Sequence, residues 1–292
     1  MRDLNSAYFR GTFSERQQRE ADVIPVHLPS LASVCGDSGS HKGFAKDGWM
    51  VCLAGLPGHG KSISAINFAC AALDAGEPVA YVSLEMSAEQ LAARYYAMKT
   101  GIEVSLLEQG NFNERAFEIV SEKTNYLPPI YVPDEITSDW QHCADFIKEC
   151  VEYYNVQYVI LDYLQICNSG NEQNIYKAMA ELMTDLRSYA VQRQICILVL
   201  SQFNRETASQ YKLRPRMSGL WGGSIIEQVC DMILLLGHHA YERDNENKCA
   251  RTWLLVEKNR HGSCVDIPLF QSYKDLSQRE GLEDELSDWP KP

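Results

Sequence analysis

The chain has 292 residues, with 39 acidic against 27 basic side chains and a formal net charge of −12. That length is enough for a substantial buried core, as one large domain or two small ones. The acidic balance excludes a protein that coats nucleic acid through a broadly basic surface, so any contact with DNA or RNA has to come from local loops.

Residues 1–22 are polar and charged, with weak helical character around Ser14 to Ala21. They fit an arm or linker helix, and equally a disordered terminus. Pro25, Pro29 and the loop-like stretch from Gly36 to His41 then lead toward the first core strand, so residues 1–45 are expected to form an N-terminal arm or linker segment. From Trp49 the pattern changes to short apolar runs alternating with longer helical segments. The runs are Met50–Ala54, Val79–Leu84, Ile130–Val132, Tyr158–Leu161, Ile195–Leu200 and Met232–Leu236. Near-continuous apolar runs suit parallel strands covered by helices on both faces. Ser87 to Gln90 and Ser138 to Gln141 fit the capping box that opens a helix. The expected fold is α/β, a mostly parallel central sheet flanked by helices through right-handed crossovers. Arg251–Glu257 and Cys264–Phe270 flank Lys258-Asn-Arg-His-Gly262 and predict a C-terminal antiparallel hairpin at the sheet's edge. The core is then expected over residues 46–272, and residues 273–292 as an acidic tail.

Within this frame one stretch carries chemistry on its face. Gly55-Leu-Pro57-Gly58-His59-Gly60-Lys61-Ser62 is the full G-x-x-x-x-G-K-[ST] pattern, between an apolar strand and a helical segment that continues with Ile63. Glycines let the backbone curl until its N–H groups face phosphate oxygens, and the helix N-terminus adds partial positive charge. Lys61 can reach the β- and γ-phosphates, and the Ser62 hydroxyl can hold Mg²⁺. The pattern predicts a nucleoside triphosphate site, with ATP and Mg²⁺ as its ligands.

Hydrolysis also needs a metal-side acid, a positioned water and neutralised leaving-group charge. Asp162 follows the apolar run Tyr158–Leu161, where a carboxylate is costly without a partner such as Mg²⁺; a helix cap or a turn residue is the alternative. Glu85 ends the run Val79–Leu84 and suits a general base, or simply the first turn of the next helix. Gln202 ends the run Ile195–Leu200 and suits a γ-phosphate sensor, or an ordinary polar strand exit.

The ten cysteines include no C-x-x-C pair, which leaves a zinc ribbon or thioredoxin-like motif unsupported. Cys52, Cys70 and Cys196 lie in apolar runs and are expected to be buried free thiols of a reducing cytoplasm. The first residues form no apolar signal segment, and no run approaches the roughly eighteen apolar residues of a membrane span.

Six blocks, Gly55–Ser62, Ser83–Met86, Leu161–Gln165, Leu200–Arg205, Ile226–Gln228 with Asp231, and Lys258–Gly262, together resemble DnaB-type replicative helicases in order and approximate spacing. The resemblance covers residues 45 to 271 and implies a RecA-like P-loop ATPase that forms hexameric rings and moves 5′–3′ on single-stranded DNA in a bacterial or phage-infected cell. It implies Glu85 as the catalytic glutamate, Asp162 as the Mg²⁺-side acid, Gln202 as the γ-phosphate sensor, and Lys258 and Arg260 as cations entering the neighbouring subunit's site. Cations supplied in trans tie hydrolysis to assembly; the residues alone also fit a solvated surface hairpin.

Two features depart from that family. Only about 45 residues precede the core, too few for the usual helical collar that meets primase, so a primase or loader remains an open partner. The DNA-facing loops match loosely. Arg205, Lys212, Arg214 and Arg216 make a locally positive stretch that suits phosphates in a ring channel. Trp221 suits stacking on a base, and Gly222, Gly223 and Ser224 suit backbone contacts to phosphate; a surface loop with a packed Trp fits as well. The stretch Asn168–Asn174 with Lys177 is a weaker second candidate. Alternatives are a RadA- or KaiC-like ATPase that binds single strands without unwinding, and a module whose nucleotide only controls assembly.

Overall fold

The computed structural model describes residues 23–35, 43–135, 140–162, 172–204, 215–237, 242–244 and 249–281. The arm at 1–22, Ser138 and its capping box, the loop 163–171, the basic residues Arg205, Lys212 and Arg214, and the tail 282–292 lie outside the described residues.

A two-stranded antiparallel sheet comes first, β1 (Val23–Pro25) with β2 (Gly43–Ala45), and between them lies helix α1 (Pro29–Val34). The main sheet contains β3 (Met50–Gly55), β4 (Val79–Ser83), β5 (Ile130–Tyr131), β6 (Tyr158–Asp162), β7 (Cys196–Gln202) and β8 (Met232–Leu236). It continues with β9 (Glu242–Asp244), β10 (Cys249–Asn259), β11 (Asp266–Ser272) and β12 (Gln278–Glu280). The strand order is β12-β11-β10-β8-β3-β7-β6-β4-β5, with β9 beside β10. The strands from β8 to β5 pair in parallel, whereas β9 to β12 run antiparallel.

Every residue of β3, β4, β6 and β8 is buried. The cause is a helical layer on each face. Val51 and Leu53 of β3 face one core with α2 (Lys61–Asp74) and α3 (Ala88–Thr100). Met50, Cys52 and Ala54 face the other, with α6 (Trp140–Tyr153), α7 (Glu172–Arg193) and α8 (Gly223–Val229). Between them in the chain, α4 (Val104–Glu108) and α5 (Glu114–Thr124) form an outlying pair of helices. The capping box at α3 is present in full: Gln90 N donates to Ser87 Oγ at 3.3 Å and Ser87 N to Gln90 Oε1 at 3.1 Å.

Three sequence expectations change at the ends of the chain. Residues 23–45 are more than a linker, because Ile24, Leu28, Leu31 and Phe44 are fully buried in the first core. The hairpin β10–β11 is not the sheet's edge, because β12 pairs with β11 outside it. The tail therefore does not begin at 273. Leu276 is buried, Asn67 Nδ2 donates to its carbonyl at 2.9 Å, and Gln278 Nε2 donates to Ser64 Oγ at 2.9 Å, tying this strand to α2. A polar sequence hid the edge strand because its contacts are hydrogen bonds rather than apolar packing. Nine described cysteines are free, among them the buried Cys52, Cys70 and Cys196. Among the described residues no helix is long and apolar enough to cross a membrane.

Candidate active site

In parallel α/β sheets ligands bind beyond the carboxyl ends of the strands, and the register gathers the expected residues at that edge. Gly55 of β3 lies opposite Gln202 of β7, and Ser83 of β4 lies opposite Asp162 of β6. Strands β3, β7, β6 and β4 are successive neighbours, so the phosphate loop, Gln202, Asp162 and the Leu84–Glu85 exit share a front about 15 Å wide.

The loop turns through Gly58 and Gly60, with φ of 76° and 86°. Gly60 is the N-cap of α2 and no side chain caps the helix, leaving its first N–H groups for an anion. Gly60 is also a place of close approach, since a Cβ there would lie 2.0 Å from Gln271 Oε1. Gln271, on β11, is completely buried and its Nε2 donates to His59 O at 3.4 Å. Pro57 and Gly58 are exposed at the mouth, while Ile63 is buried beneath it.

Lys61 begins the helix and is buried, its Nζ donating to the carbonyls of Gly55 and Leu56 at 3.1 Å each. Burial lowers its pKa, against the opposing pull of Asp162 and Glu85. Asp162 is also buried, and this pushes its carboxyl above the usual range; hydrogen bonds from Ser62 and Tyr81 and the charge of Lys61 pull it back. The Tyr81 hydroxyl donates to Asp162 Oδ2 at 2.9 Å. Ser62 and Asp162 thus bring a hydroxyl and a carboxylate together, the hard oxygen donors that suit Mg²⁺. Among the described residues no three His, Cys, Asp or Glu side chains cluster as a metal cage. Glu85 stands exposed two residues past the end of β4.

Lys258 and Arg260 lie elsewhere. Strand β10 runs antiparallel to β8, so Asn259 pairs with Met232 at the amino ends of the parallel strands. The length of β3 alone puts them about 17 Å from the phosphate loop of their own chain. A register shift between Val256 and Lys258 marks a bulge, which re-aims the side chains that follow. Lys258 Nζ donates to Glu227 O and to Cys230 O at 2.7 Å, and Arg260 donates to Gln228 O and to Asp231 Oδ1 at 3.3 Å. Burial and the neighbouring Arg260 both lower the pKa of Lys258.

The described nucleic-acid candidates are dispersed. Lys177 projects from α7 and pairs with Glu181 at 3.8 Å. Arg216 is exposed and lies 3.7 Å from Glu257 in the β10 bulge. Trp221 is half-buried against the second core, and its N–H donates to the carbonyl of Gln202 at 3.1 Å. Gly222 is the left-handed N-cap of α8, Gly223 follows it, and Ser224 is exposed in the first turn. Sequence reasoning missed Tyr81 and Gln271. A hydroxyl in an apolar strand usually finds a partner, which is a signal at Tyr81, but one that does not decide, because the buried Tyr158 hydroxyl of β6 has none. Nothing local marked Gln271, which meets the loop from far along the chain.

A family model of the DnaB-like helicase C-terminal domain matches residues 39–276. A protein of Chlamydia psittaci described as a probable plasmid replicative DNA helicase is 28% identical over 267 residues, covering 90% of this chain and 57% of that protein. The chain thus spans little more than half the length of that relative. Among solved structures, an ATPase domain determined as a separate chain superposes with a TM-score of 0.78 at 17% identity, covering 96% of this chain and 99% of that one. A DnaB-like replicative helicase, described together with its interactions with primase, gives 0.77 at 18% identity, covering 95% of this chain and 68% of that one.

Proposed function

Because this chain belongs to the family of DnaB-like helicase C-terminal domains, we propose that it is the ATP-hydrolysing motor of a replicative DNA helicase. It works as a hexameric ring on single-stranded DNA, moving 5′–3′, with a primase or loader as a further partner. The observation that supports this reading is that the residues proposed as catalytic lie at opposite ends of the parallel strands. The phosphate loop, Asp162 and Gln202 lie at one end with Glu85 just beyond it, and Lys258 and Arg260 lie at the other. A chain built this way completes a site only with a second copy.

The phosphate loop and the first N–H groups of α2 hold the triphosphate, and Lys61 moves from its carbonyl partners to the β- and γ-oxygens. Ser62 and Asp162 would hold Mg²⁺, which would supply neutralisation of phosphate charge. Glu85 orients the attacking water and accepts its proton. Gln202 contacts the γ-phosphate, and its carbonyl bond to Trp221 N links that contact to the loop carrying Trp221, Gly222 and Ser224. Lys258 and Arg260 of the adjacent subunit stabilise the charge of the departing phosphate. Lys177 and Arg216, with Arg205, Lys212 and Arg214, are proposed to track the DNA backbone.

The deciding experiment measures ATP turnover with and without single-stranded DNA, alongside particle mass with a nonhydrolysable nucleotide. Stimulation by DNA together with a ring of six supports the proposal. A monomer indifferent to DNA replaces it with a nucleotide-controlled assembly module.

A further inference from the structure

The cations assigned above to a neighbour's site are already engaged within their own subunit. Lys258 donates to Glu227 O and Cys230 O, and Arg260 donates to Gln228 O. Glu227 and Gln228 belong to the last turn of α8, and Cys230 is its C-cap. Carbonyls at a helix C-terminus lack intrahelical donors and carry the negative end of the helix dipole, so this turn offers a cation a ready seat.

Beside it lies Asp231, 2% exposed at its side chain and ringed by donors. Met50 N donates to Oδ2 at 2.9 Å. Arg187, from α7, reaches both carboxylate oxygens, one of them at 3.2 Å. Arg260 bonds Oδ1 at 3.3 Å, and His261 Nε2 lies 3.6 Å from the same atom while its ring stacks on Trp49. One buried carboxylate is therefore shared by two guanidinium groups. A buried charge stripped of its partners is costly, and Arg187 is the partner that remains when Arg260 leaves.

We propose that α8 and Asp231 form a resting dock for Lys258 and Arg260, with Arg187 as the positioning residue that makes their release feasible. The proposal rests on the trans role of these cations. Nucleotide in the adjacent subunit then competes with the dock, and an isolated subunit keeps its cations withdrawn.

The two sides of the ion cluster give opposite predictions. Asp231→Asn weakens the dock, so ATP turnover should reach half-maximum at about three-fold lower protein concentration. Arg187→Met leaves Arg260 as the one guanidinium on Asp231 and tightens the dock, so the half-maximum should rise about three-fold; both shifts are what a partly exposed ion pair supports. A merely structural role lowers stability in both variants and moves turnover the same way in both, which would overturn the proposal. A second readout needs no turnover: phenylglyoxal modification of Arg260 in nucleotide-free protein, mapped by mass spectrometry. It should proceed about three-fold faster in Asp231→Asn than in the unsubstituted chain, and equal rates would overturn the dock. If Asp231→Asn does not fold, Arg187→Met alone decides, with slower modification expected and an unchanged rate overturning the dock. A chain without ATP turnover would instead remove the proposed function, leaving the modification rates to judge the dock by themselves.

Discussion

The Tyr81 hydroxyl donates to Asp162 Oδ2 at 2.9 Å, from one parallel strand to its neighbour, where both side chains are shut off from water. This bond steadies a carboxylate whose burial favours the protonated form, and Asp162 is the group proposed for the Mg²⁺ side. Tyr81→Phe removes the donor and keeps the ring, so the Asp162 pKa should rise further. The acid limb of the ATP-turnover profile should move to higher pH. An unmoved limb would separate Asp162 from catalysis.

The same shift sets a stability sign. A carboxyl whose folded pKa is raised contributes stability that is present below its ordinary unfolded value and is lost as pH rises through the folded one. A divalent cation on Asp162 reverses the preference, because it needs the charged form. The rise in melting temperature given by Mg²⁺ with ADP should therefore be larger at about pH 8 than at about pH 5. Thermal shifts at the two values check this, and an equal rise at both would place the metal elsewhere.

The proposed sharing of catalytic residues between subunits, with Glu85 near one end of the parallel strands and Arg260 at the other, predicts complementation. Glu85→Gln and Arg260→Ala should each reduce turnover about a hundred-fold or more as pure assemblies. Mixed in equal amounts they should regain measurable turnover, because some interfaces then pair an intact Glu85 with an intact Arg260. A mixture no more active than its components would show that both residues serve one subunit.

Gly222 has φ of 72°, and a Cβ there would lie 1.7 Å from Met179 Cε. Gly222→Ala should cost about 1–2 kcal/mol, from the left-handed backbone and the displaced methionine. Urea denaturation reads the loss. DNA-stimulated turnover should fall more than basal turnover, because Trp221 and Ser224, the proposed DNA contacts, lie within two residues of the substitution.

A chain ending at residue 272 would lose the β12 edge strand, the buried Leu276 and the hydrogen bond from Gln278 to Ser64. Together these are worth about 3–5 kcal/mol. A clear drop in melting temperature is expected, and an unchanged one would detach this strand from the fold.

The glycine-rich loop and the parallel strands were legible in the order of residues. Gly55 to Ser62 is a contiguous pattern whose chemistry is local, and runs such as Met232–Leu236, which matches β8 residue for residue, are wholly apolar because both faces are covered. Asp162 and Gln202 stood out as polar residues closing apolar strands. Contacts between parts distant in the chain came only with the folded molecule: Tyr81 on Asp162, Gln271 beneath Gly60, the edge strand at Gln278–Glu280, and Asp231 shared by Arg187 and Arg260. Periodicity records which face of an element is buried. It holds no record of which distant polar group a side chain meets, and in this protein those meetings join the phosphate loop and the hairpin cations to the sheet.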